Sequence, residues 1–541
     1  MSDPQVEQRV EQHVVLMGNA NFQACAHFCS IAKSLGNCVA YHGRHLIFDN
    51  LKLGSASDFD KAIRELYEPV YRAMPSSAAA QRQVQIIHEQ FKSFFAAMAE
   101  YHETPERFLG KPRLPGYAEK FRTGVVGRNG YRIKDGYLIL SGAEKFGFEP
   151  IKVQCCQNQR VNAKADEAVC GDVRICPKGH SFVIEITYRK EVHPENFSYL
   201  RKDHALSVDF GLNNIVAGIA TKPGLPTLLV KGGQFKSVNQ LWNKSCAELR
   251  AQSAALLHEA AKFTVLSNVL KAEAVMLTAQ ERALSSEAEQ ITARKMALKT
   301  EDEQLIANGK SRDASVKLTA LWLDCEAKLK QIAAQNKAQE SDDKLRAARE
   351  LDNKATPYLH RAQSKLNHVA DITRKRNQRI GDLSHKTANA VIAFCLDNQL
   401  GTIILGHNPD WKQGINLGRR VNQKFVNIPY AQIIQKIQYR AKEYGITVIV
   451  REESYTSKAS ALDFDPMLAS YQKGAQCTFS GKRIQRGLYR TKNGQLINAD
   501  LNGALNIGRK ELGDNWLRQS LANGGFVDKP VVIRNLHQKI R

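Results

Sequence analysis

No proline occurs between Pro226 and Pro357, and only Gly309 interrupts that interval beyond the Gly232-Gly233 pair at its start. The interval is rich in Ala, Leu, Glu, Lys and Gln. These are strong helix formers, and the two residues that break helices are nearly absent. The stretch predicts a helical hairpin, one arm over 239–307 and the other over 313–351, turning at Asn308-Gly309. At about 1.5 Å per residue the first arm approaches 100 Å if unbroken. The heptad pattern is imperfect and does not secure a strict coiled coil. A surface spacer and a clamp on nucleic acid or a partner both fit such a hairpin. Thr356-Pro357 then predicts a fresh helix start, with Thr as cap and Pro in the first position.

At the upstream edge of that interval stands Ser207 to Asn214, reading SVDFGLNN. Residues 205–208 predict a buried strand, and a second apolar run follows over 215–220. Asp209 sits at the strand exit, and Gly211 turns the chain into the next strand. An RNase H-type fold presents its first metal ligand in this way. An aspartate near glycine is also an ordinary turn residue, so the reading depends on further carboxylates.

The formal net charge is +23, from 77 Lys and Arg against 54 Asp and Glu. That excess suits a polyanionic partner, nucleic acid first and an acidic membrane surface second. The 541 residues allow several domains. No run of about 18 apolar residues occurs, so no transmembrane helix and no membrane partner are expected. The N-terminus lacks a basic-then-apolar signal pattern. The eleven cysteines are scattered and odd in number, which suits a reduced, intracellular protein. The expected location is the cytoplasm, in contact with the nucleoid.

The remaining segments divide by pattern. Phe22, Cys25, Phe28, Ile31 and Leu35 recur at helical spacing, with Gly36 as a candidate cap. Residues 57–101 predict two or three helices broken at Pro69 and Pro75, with an apolar stripe at Val84, Ile87, Phe91, Phe94 and Phe95. KPRLPGY, from Lys111, is a proline-stiffened basic loop carrying Lys111 and Arg113. Turns at Asn129-Gly130 and Asp135-Gly136, a strand over 137–140 and another over 182–188 predict a small β-module. Cys155, Cys156, Cys170, Cys176 and His180 lie inside it without the regular spacing of a zinc site. After Pro357, Arg374, Lys375, Arg376 and Arg379 form a basic ridge suited to phosphates, or simply a solvated charged face. Residues 402–405 and 446–450 predict two more buried strands, and a helix over 431–444 lies between them. The second strand ends in Arg451, Glu452 and Glu453. Near the C-terminus, Asp500 enters an amphipathic helix, where it is a metal-ligand candidate or only a cap.

Three carboxylate positions therefore stand out: Asp209, Glu453 (or Glu452) and Asp500. Two divalent metals about 3.5–4 Å apart can activate water and stabilise a leaving oxygen in phosphodiester hydrolysis. Mg²⁺ is hard and prefers such oxygen ligands. Neighbouring side chains on an extended strand point opposite ways, so only one of Glu452 and Glu453 can reach such a site; Glu453 is the expected one.

SVDFGLNN, YTSK and INADLNGALNI together resemble the landmarks of the TnpB proteins of insertion sequences, and of the related type V CRISPR effectors and Fanzor proteins. KPRLPGY, RNQRIGDLSHKTAN and FSGKRIQRGLYR extend the likeness, which covers most of 20–240 and 360–510. The resemblance implies an α/β multidomain fold: a split RuvC-like (RNase H-fold) nuclease with a wedge β-barrel, a helical recognition lobe and the long hairpin as an insertion. Its implied parts are wedge at 1–56 and 105–200, recognition lobe at 57–104, nuclease at 201–235, 356–458 and 495–515, hairpin at 236–355, a zinc-ribbon equivalent at 459–494 and a tail at 516–541. The implied activity is RNA-guided DNA endonuclease, cutting at a single RuvC-like site once guide RNA pairs with target DNA beside a short motif. Asp209, Glu453 and Asp500 would be both the catalytic residues and the ligands of Mg²⁺ or Mn²⁺. Lys111, Arg113, Arg374, Lys375, Arg376 and Arg379 would contact nucleic acid.

Three departures qualify the likeness. Many members carry the middle glutamate after the strand that here ends at Leu405, where this chain has Gly406-His407. Some members, notably Fanzor proteins, place a glutamate two residues before the YTS tyrosine, which is Glu453 here. A four-cysteine zinc ribbon usually follows YTS, yet this chain has Ala459 and Ser460 there and only Cys477 before Asp500. No zinc is expected, and the region should hold by its own packing through Leu462, Phe464, Phe479 and Leu488. The hairpin is not suggested by compact members. A nuclease-inactive RNA-guided DNA-binding protein, a scaffold built on the hairpin and an RNase H-fold transposase acting without RNA remain alternatives.

Overall fold

The computed structural model describes residues 5–140, 142–155, 169–308, 314–407, 428–468, 470, 472, 477–485, 487–525 and 527–537. These fall into two compact units: residues 243–372, and the rest of the chain. No helix among the described residues is long and apolar enough to cross a membrane.

The larger unit begins with strand β1 (Gln5–Val15) and four helices: α1 (Phe22–Phe48), α2 (Ala56–Leu66), α3 (Glu68–Arg72) and α4 (Ser77–Glu103). Gly36 does not end α1, which runs twelve residues further. A Cβ there would meet the Arg122 side chain at 2.6 Å and Ile87 at 3.2 Å, so this glycine serves close packing rather than capping. Ser76 caps α4, its hydroxyl accepting from the Ala79 N–H. Val84, Ile87 and Phe91 of α4 are buried, whereas Phe95 is exposed. Strands β2 (Gly124–Val126), β3 (Tyr131–Lys134), β4 (Tyr137–Leu140), β5 (Ile151–Gln154), β6 (Val169–Lys178) and β7 (Ser181–Val192) follow. They form a sheet ordered β1-β7-β6-β2 and a meander β3-β4-β5. Asp135 and Gly136 both have positive φ, the geometry of a two-residue hairpin turn between β3 and β4. Helices and both sheets share one hydrophobic core, from Phe28 and Leu35 through Ile87 to Ile175 and Ile184.

A six-stranded sheet organises the remainder. Its strands are β8 (Arg201–Asp209), β9 (Asn214–Ala220), β10 (Pro226–Lys231), β11 (Leu400–Gly406), β12 (Thr447–Arg451) and, near the C-terminus, β16 (Val527–Ile533). The order is β12-β11-β8-β9-β10-β16. β8 is parallel to β11 and antiparallel to β9, and β11 is parallel to β12. β9 and β11 are buried along their whole length, because both faces of the sheet are covered. One face packs on Leu383, Val391, Ile433 and Ile437; the other packs on Ala504, Leu505 and Ile507. The covering helices are the end of α6 (Ala314–Asp397), α7 (Tyr430–Glu443) and α8 (Ala499–Leu512). A small sheet of β13 (Lys482–Gln485), β14 (Leu488–Arg490) and β15 (Leu496–Asn498) leads into α8, and α9 (Asn515–Ala522) follows it. Glu443 of α7 pairs with Lys190 of β7 at 2.8 Å and Arg9 of β1 at 2.5 Å.

The smaller unit consists of the arms of α5 (Gly233–Ala307) and α6. The expected turn residue Gly309 lies outside the described residues. Two expectations change here. First, α6 does not restart at Thr356: Pro357 sits inside a continuous helix. The Thr356 hydroxyl donates to the Asp352 carbonyl, and Ala355 and Ala362 are buried on either side; packing of the arm outweighs the lost backbone bond. Second, the heptad, though interrupted at Glu281, is carried by small residues. Cys246, Ser253, Ala260, Ser267, Ala274 and Ala288 are buried at multiples of seven on α5, and Ala327, Ala334, Ser341, Ala348, Ala355, Ala362 and Val369 on α6. The backbones approach closely enough that Ser253 donates to Ala362 O, Ser267 to Ala348 O and Ser341 to Ala274 O.

Candidate active site

Asp209 ends β8, the central strand. The chain turns at once, with Gly211 N–H donating to Asn214 O at 3.0 Å. A Cβ at Gly211 would lie 2.9 Å from that carbonyl oxygen and 3.4 Å from Asp500 Oδ2. Helix α8 meets Asp209 through another glycine: a Cβ on Gly503 would fall 2.7 Å from Asp209 Oδ2. The glycine of NADLNG is thus the gap into which the Asp209 carboxylate fits.

Asp500 lies in the first turn of α8, but it is not the cap. Asn498 caps the helix, accepting from the N–H groups of Asp500 and Leu501. The Asp500 carboxylate accepts instead from Asn214 Nδ2 at 2.8 Å, and Lys231 Nζ donates to Asn214 Oδ1 at 2.8 Å. Its place near a helix N-terminus suits a negative charge. Arg483 of β13 stands 3.7 Å from Asp500 Oδ1.

Glu453 follows β12 by two residues. The Glu452 carboxylate takes Lys510 Nζ at 3.2 Å and the Ser454 hydroxyl, whereas Glu453 lines the same cleft as Asp209 and Asp500. A Cβ on Gly406 would meet Glu453 Oε2 at 3.1 Å and Ile507 Cδ1 at 2.3 Å. Glu453 therefore occupies the space into which a side chain at the end of β11 would project. The loop beyond is described only to His407.

Two asparagines of α8, both fully buried, join these parts. Asn506 Nδ2 donates to Thr456 O and Ala459 O; Asn502 Nδ2 donates to Ala459 O, while its Oδ1 accepts from Ala461 N. The Thr456 hydroxyl in turn donates to Glu453 O at 2.7 Å. Sequence reading missed their role, although their i, i+4 spacing was a signal that both share one helix face.

The cleft has an open volume of about 1450 Å³ and is lined by the three carboxylates, Asn213, the 454–457 turn, Arg483 and Gln485. Burial, then Glu453 and Asp500, hold the Asp209 carboxyl well above the usual carboxylate range; Arg483 opposes this. Burial, then Glu452, push Glu453 up to about 7 against the pull of Lys510. Among the described residues, no three His, Cys, Asp or Glu side chains are gathered as a ready ligand group. The donor set nonetheless fits a hard divalent cation: all-oxygen, convergent on one cleft, and in mutual repulsion that such a charge would relieve.

The 459–494 region is held by more than the apolar packing expected of it. Asp465 accepts from the Ser460 and Ser480 N–H groups at 2.8 and 3.0 Å and from the Ser480 hydroxyl at 2.6 Å. Asp463 accepts from the Ser460 hydroxyl and from Lys492 N–H. Leu462 and Phe464 pack beneath against Leu505 and Leu517. Within the β-module, Cys155 is buried and the Cys176 thiol donates to Glu185; Cys156 and the side chain of Cys170 lie outside the described part.

None of the expected basic residues lines the cleft. Lys111, Arg113, Lys375 and Arg379 are exposed. Arg374 donates to Gln378. Arg376 departs from a free phosphate ridge: its guanidinium donates twice to Asn239 Oδ1 and stacks 5.0 Å over Trp242.

Comparisons with known proteins add to this geometry. No curated protein matches the chain. Among solved structures, a Cas12f1–sgRNA–target DNA complex is similar at TM-score 0.38 and 10% identity, over 90% of this chain and 83% of that one. A CRISPR-Cas12f ternary complex follows at TM-score 0.24 and 12% identity, over 89% and 80%. The C2c1 of Alicyclobacillus acidoterrestris with single-guide RNA gives TM-score 0.32 and 10% identity, over 91% and 66%. Residues 430–507 match the TNB domain of Cas12f1-like proteins. That matched segment contains β12, Glu453, the YTSK turn, the Asp463/Asp465 network and Asp500, so the likeness falls on the part of the chain that builds one wall of the cleft.

Proposed function

We propose that the protein is an RNA-guided, Mg²⁺- or Mn²⁺-dependent DNA endonuclease with one RuvC-like site. The observation that carries this reading is the convergence of Asp209, Glu453 and Asp500 on one cleft. They come from three segments that are distant in sequence. The sheet supports it: counted from β8, the order 3-2-1-4-5 with an antiparallel second strand is that of an RNase H-type fold. The TNB match and the net charge of +23 agree with it.

Asp209, Glu453 and Asp500 would hold the metals. When bound, these supply activation of water and stabilisation of the leaving oxygen in phosphodiester hydrolysis. The chain's own groups prepare the site. Asn214 and Lys231 fix the Asp500 carboxylate, Gly406 and Gly503 admit Glu453 and Asp209, and Asn502 and Asn506 hold the 453–461 segment to α8. Arg483 faces the cleft with a charge suited to a phosphate. Guide pairing would read the target, while protein surfaces read backbone and an adjacent motif, as described for Cas9-type effectors. Lys111, Arg113, Arg374, Lys375 and Arg379 are candidate phosphate contacts; Arg376 would act by bracing the helix. Residues 1–56 and 105–200 would serve as wedge and 57–104 as recognition helices, acting together because they share a core.

Purification of the full chain followed by sequencing of any bound RNA tests the guide. A discrete co-purifying RNA whose matching DNA is cut supports the proposal. Retardation of matched DNA without cutting in Mg²⁺ or Mn²⁺ would favour the guide-dependent binder instead. Absence of bound RNA with cutting of DNA would favour an RNA-independent nuclease.

A further inference from the structure

Two residues past Glu453, the backbone of Tyr455 takes φ +69°. A bulky side chain is strained in that conformation, which glycine adopts freely. The turn is held from several sides. The Lys458 and Ala459 N–H groups donate to Tyr455 O at 2.9 and 3.0 Å, and the Thr456 N–H and hydroxyl both donate to Glu453 O. The ring is not core: it joins none of the hydrophobic clusters among the described residues, whereas Leu462 and Phe464, a few positions on, belong to one. It is partly exposed and lines the cleft with Asp209, Glu453, Arg483 and Asp500. Phe210, the other aromatic residue of that lining, is buried. The Tyr455 hydroxyl is engaged elsewhere, donating to Gln472 O at 3.3 Å and accepting from Gln472 N–H at 3.4 Å. Phe479, which does not line the cleft, backs the ring at a centroid distance of 6.4 Å and a tilt of 43°. With its polar tip tied down and Phe479 behind it, Tyr455 offers the cleft an aromatic surface rather than a hydroxyl.

We propose that Tyr455 is the stacking platform for one unpaired nucleobase next to the scissile phosphate, and that it makes the cleft selective for a single strand. The inference deepens the nuclease reading and rests on it for the substrate. Arg483 and the carboxylate site act on the backbone of a bound strand, which leaves the adjoining base in need of an apolar face. In a duplex each base is already covered above and below by its neighbours. Only a strand whose bases are splayed apart can lay one on the ring. Stacking on an aromatic side chain tolerates any sequence, because every base has a π-face. That suits a nuclease whose target is read by guide pairing rather than by the protein. The backbone strain fits the same role. Strained residues gather at functional sites, where the surrounding structure holds them in place. Here a position that favours glycine carries a ring that no core requires, two residues from a proposed metal ligand.

Single-stranded DNA carrying 5-iodouracil, irradiated in chelator with the full-length protein and whatever RNA it holds, should become linked at Tyr455, as mapped by mass spectrometry. Cleavage then reads the ring. Tyr455→Gly relieves the strained φ and should melt no lower than the wild type. Its single-turnover rate on guide-matched DNA should nonetheless fall on the order of 10–100-fold, with affinity for that DNA unchanged because guide pairing holds it. Tyr455→Phe, which keeps the ring, should restore most of the loss. An abasic nucleotide beside the mapped cut should slow the wild type as much as Tyr455→Gly does, and the two changes together should lose no more than either alone. No link at Tyr455, a Tyr455→Gly rate matching the wild type, or a Tyr455→Gly chain that melts well below it overturns the proposal. A link at Tyr455 with no cutting by the wild type would remove the nuclease reading and leave the stacking platform in place.

Discussion

Gly503→Ala is a one-carbon change whose sign distinguishes a designed gap from an ordinary helical glycine. Inside a helix, replacing Gly by Ala normally stabilises by roughly 0.5–1 kcal/mol. Here the new Cβ would stand 2.7 Å from Asp209 Oδ2 and 3.0 Å from its Cγ, closer than carbon and oxygen pack. Neither neighbour yields cheaply: Asp209 ends the central strand, and α8 is pinned by the buried Asn502 and Asn506. Overpacking of this kind costs about 1–3 kcal/mol, which offsets the helix gain and leaves a net loss of up to ~2 kcal/mol. The larger effect falls on function. Displacing a metal-site carboxylate by about 1 Å costs on the order of 100-fold in rate. Single-turnover cleavage by the protein–RNA complex, read beside a thermal melt, measures both. Unchanged cleavage with a raised melting temperature would refute the contact between Gly503 and Asp209 as the reason for this glycine.

Further consequences concern charge and the polar network. Because the Glu453 carboxyl is raised to about 7 from an unfolded value near 4.3, the folded chain binds the proton more tightly. The Glu453 contribution to metal-free stability should therefore be full below about pH 4 and be lost as pH rises through 7; Glu453→Gln should lessen the decline over that range in melts run with chelator. Asn502→Ala leaves the buried Ala461 N–H without its acceptor, at a cost of about 1–3 kcal/mol, and takes away one of the two donors to Ala459 O; limited proteolysis should then cut sooner within 455–465. Asp465→Ala removes three hydrogen bonds and should lower the melting temperature and cleavage together, with neither restored by added zinc.

Much of the site was legible because its chemistry is local. A carboxylate at the exit of a buried strand marks itself by the apolar run before it, and Asp209 and Glu453 both follow that pattern. What joins them was less visible. The exchange between Gly406 and Glu453 happens across two parallel strands, so neither residue signals it alone. Asn502 and Asn506 read as polar residues in a helix until the loop they hold is folded against it. Arg376 reads as one more cation in a basic run, and only the return of α6 beside α5 brings Asn239 and Trp242 to its guanidinium. The hairpin illustrates the opposite case. Its heptad was present in the sequence, but small residues carry it, and a search for large apolar repeats passes over Ala and Ser. Pro357 misled for a related reason: local preference favoured a helix start, and tertiary packing overrode it.

Cleavage of guide-matched DNA by the purified protein–RNA complex in Mg²⁺, compared between wild type, Asp209→Ala and Asp500→Ala, tests the central claim most directly. The account predicts metal-dependent cutting by the wild type and a loss of at least ~1000-fold in each variant, about 4 kcal/mol of barrier, with DNA binding retained. Undiminished cutting by either variant would contradict it.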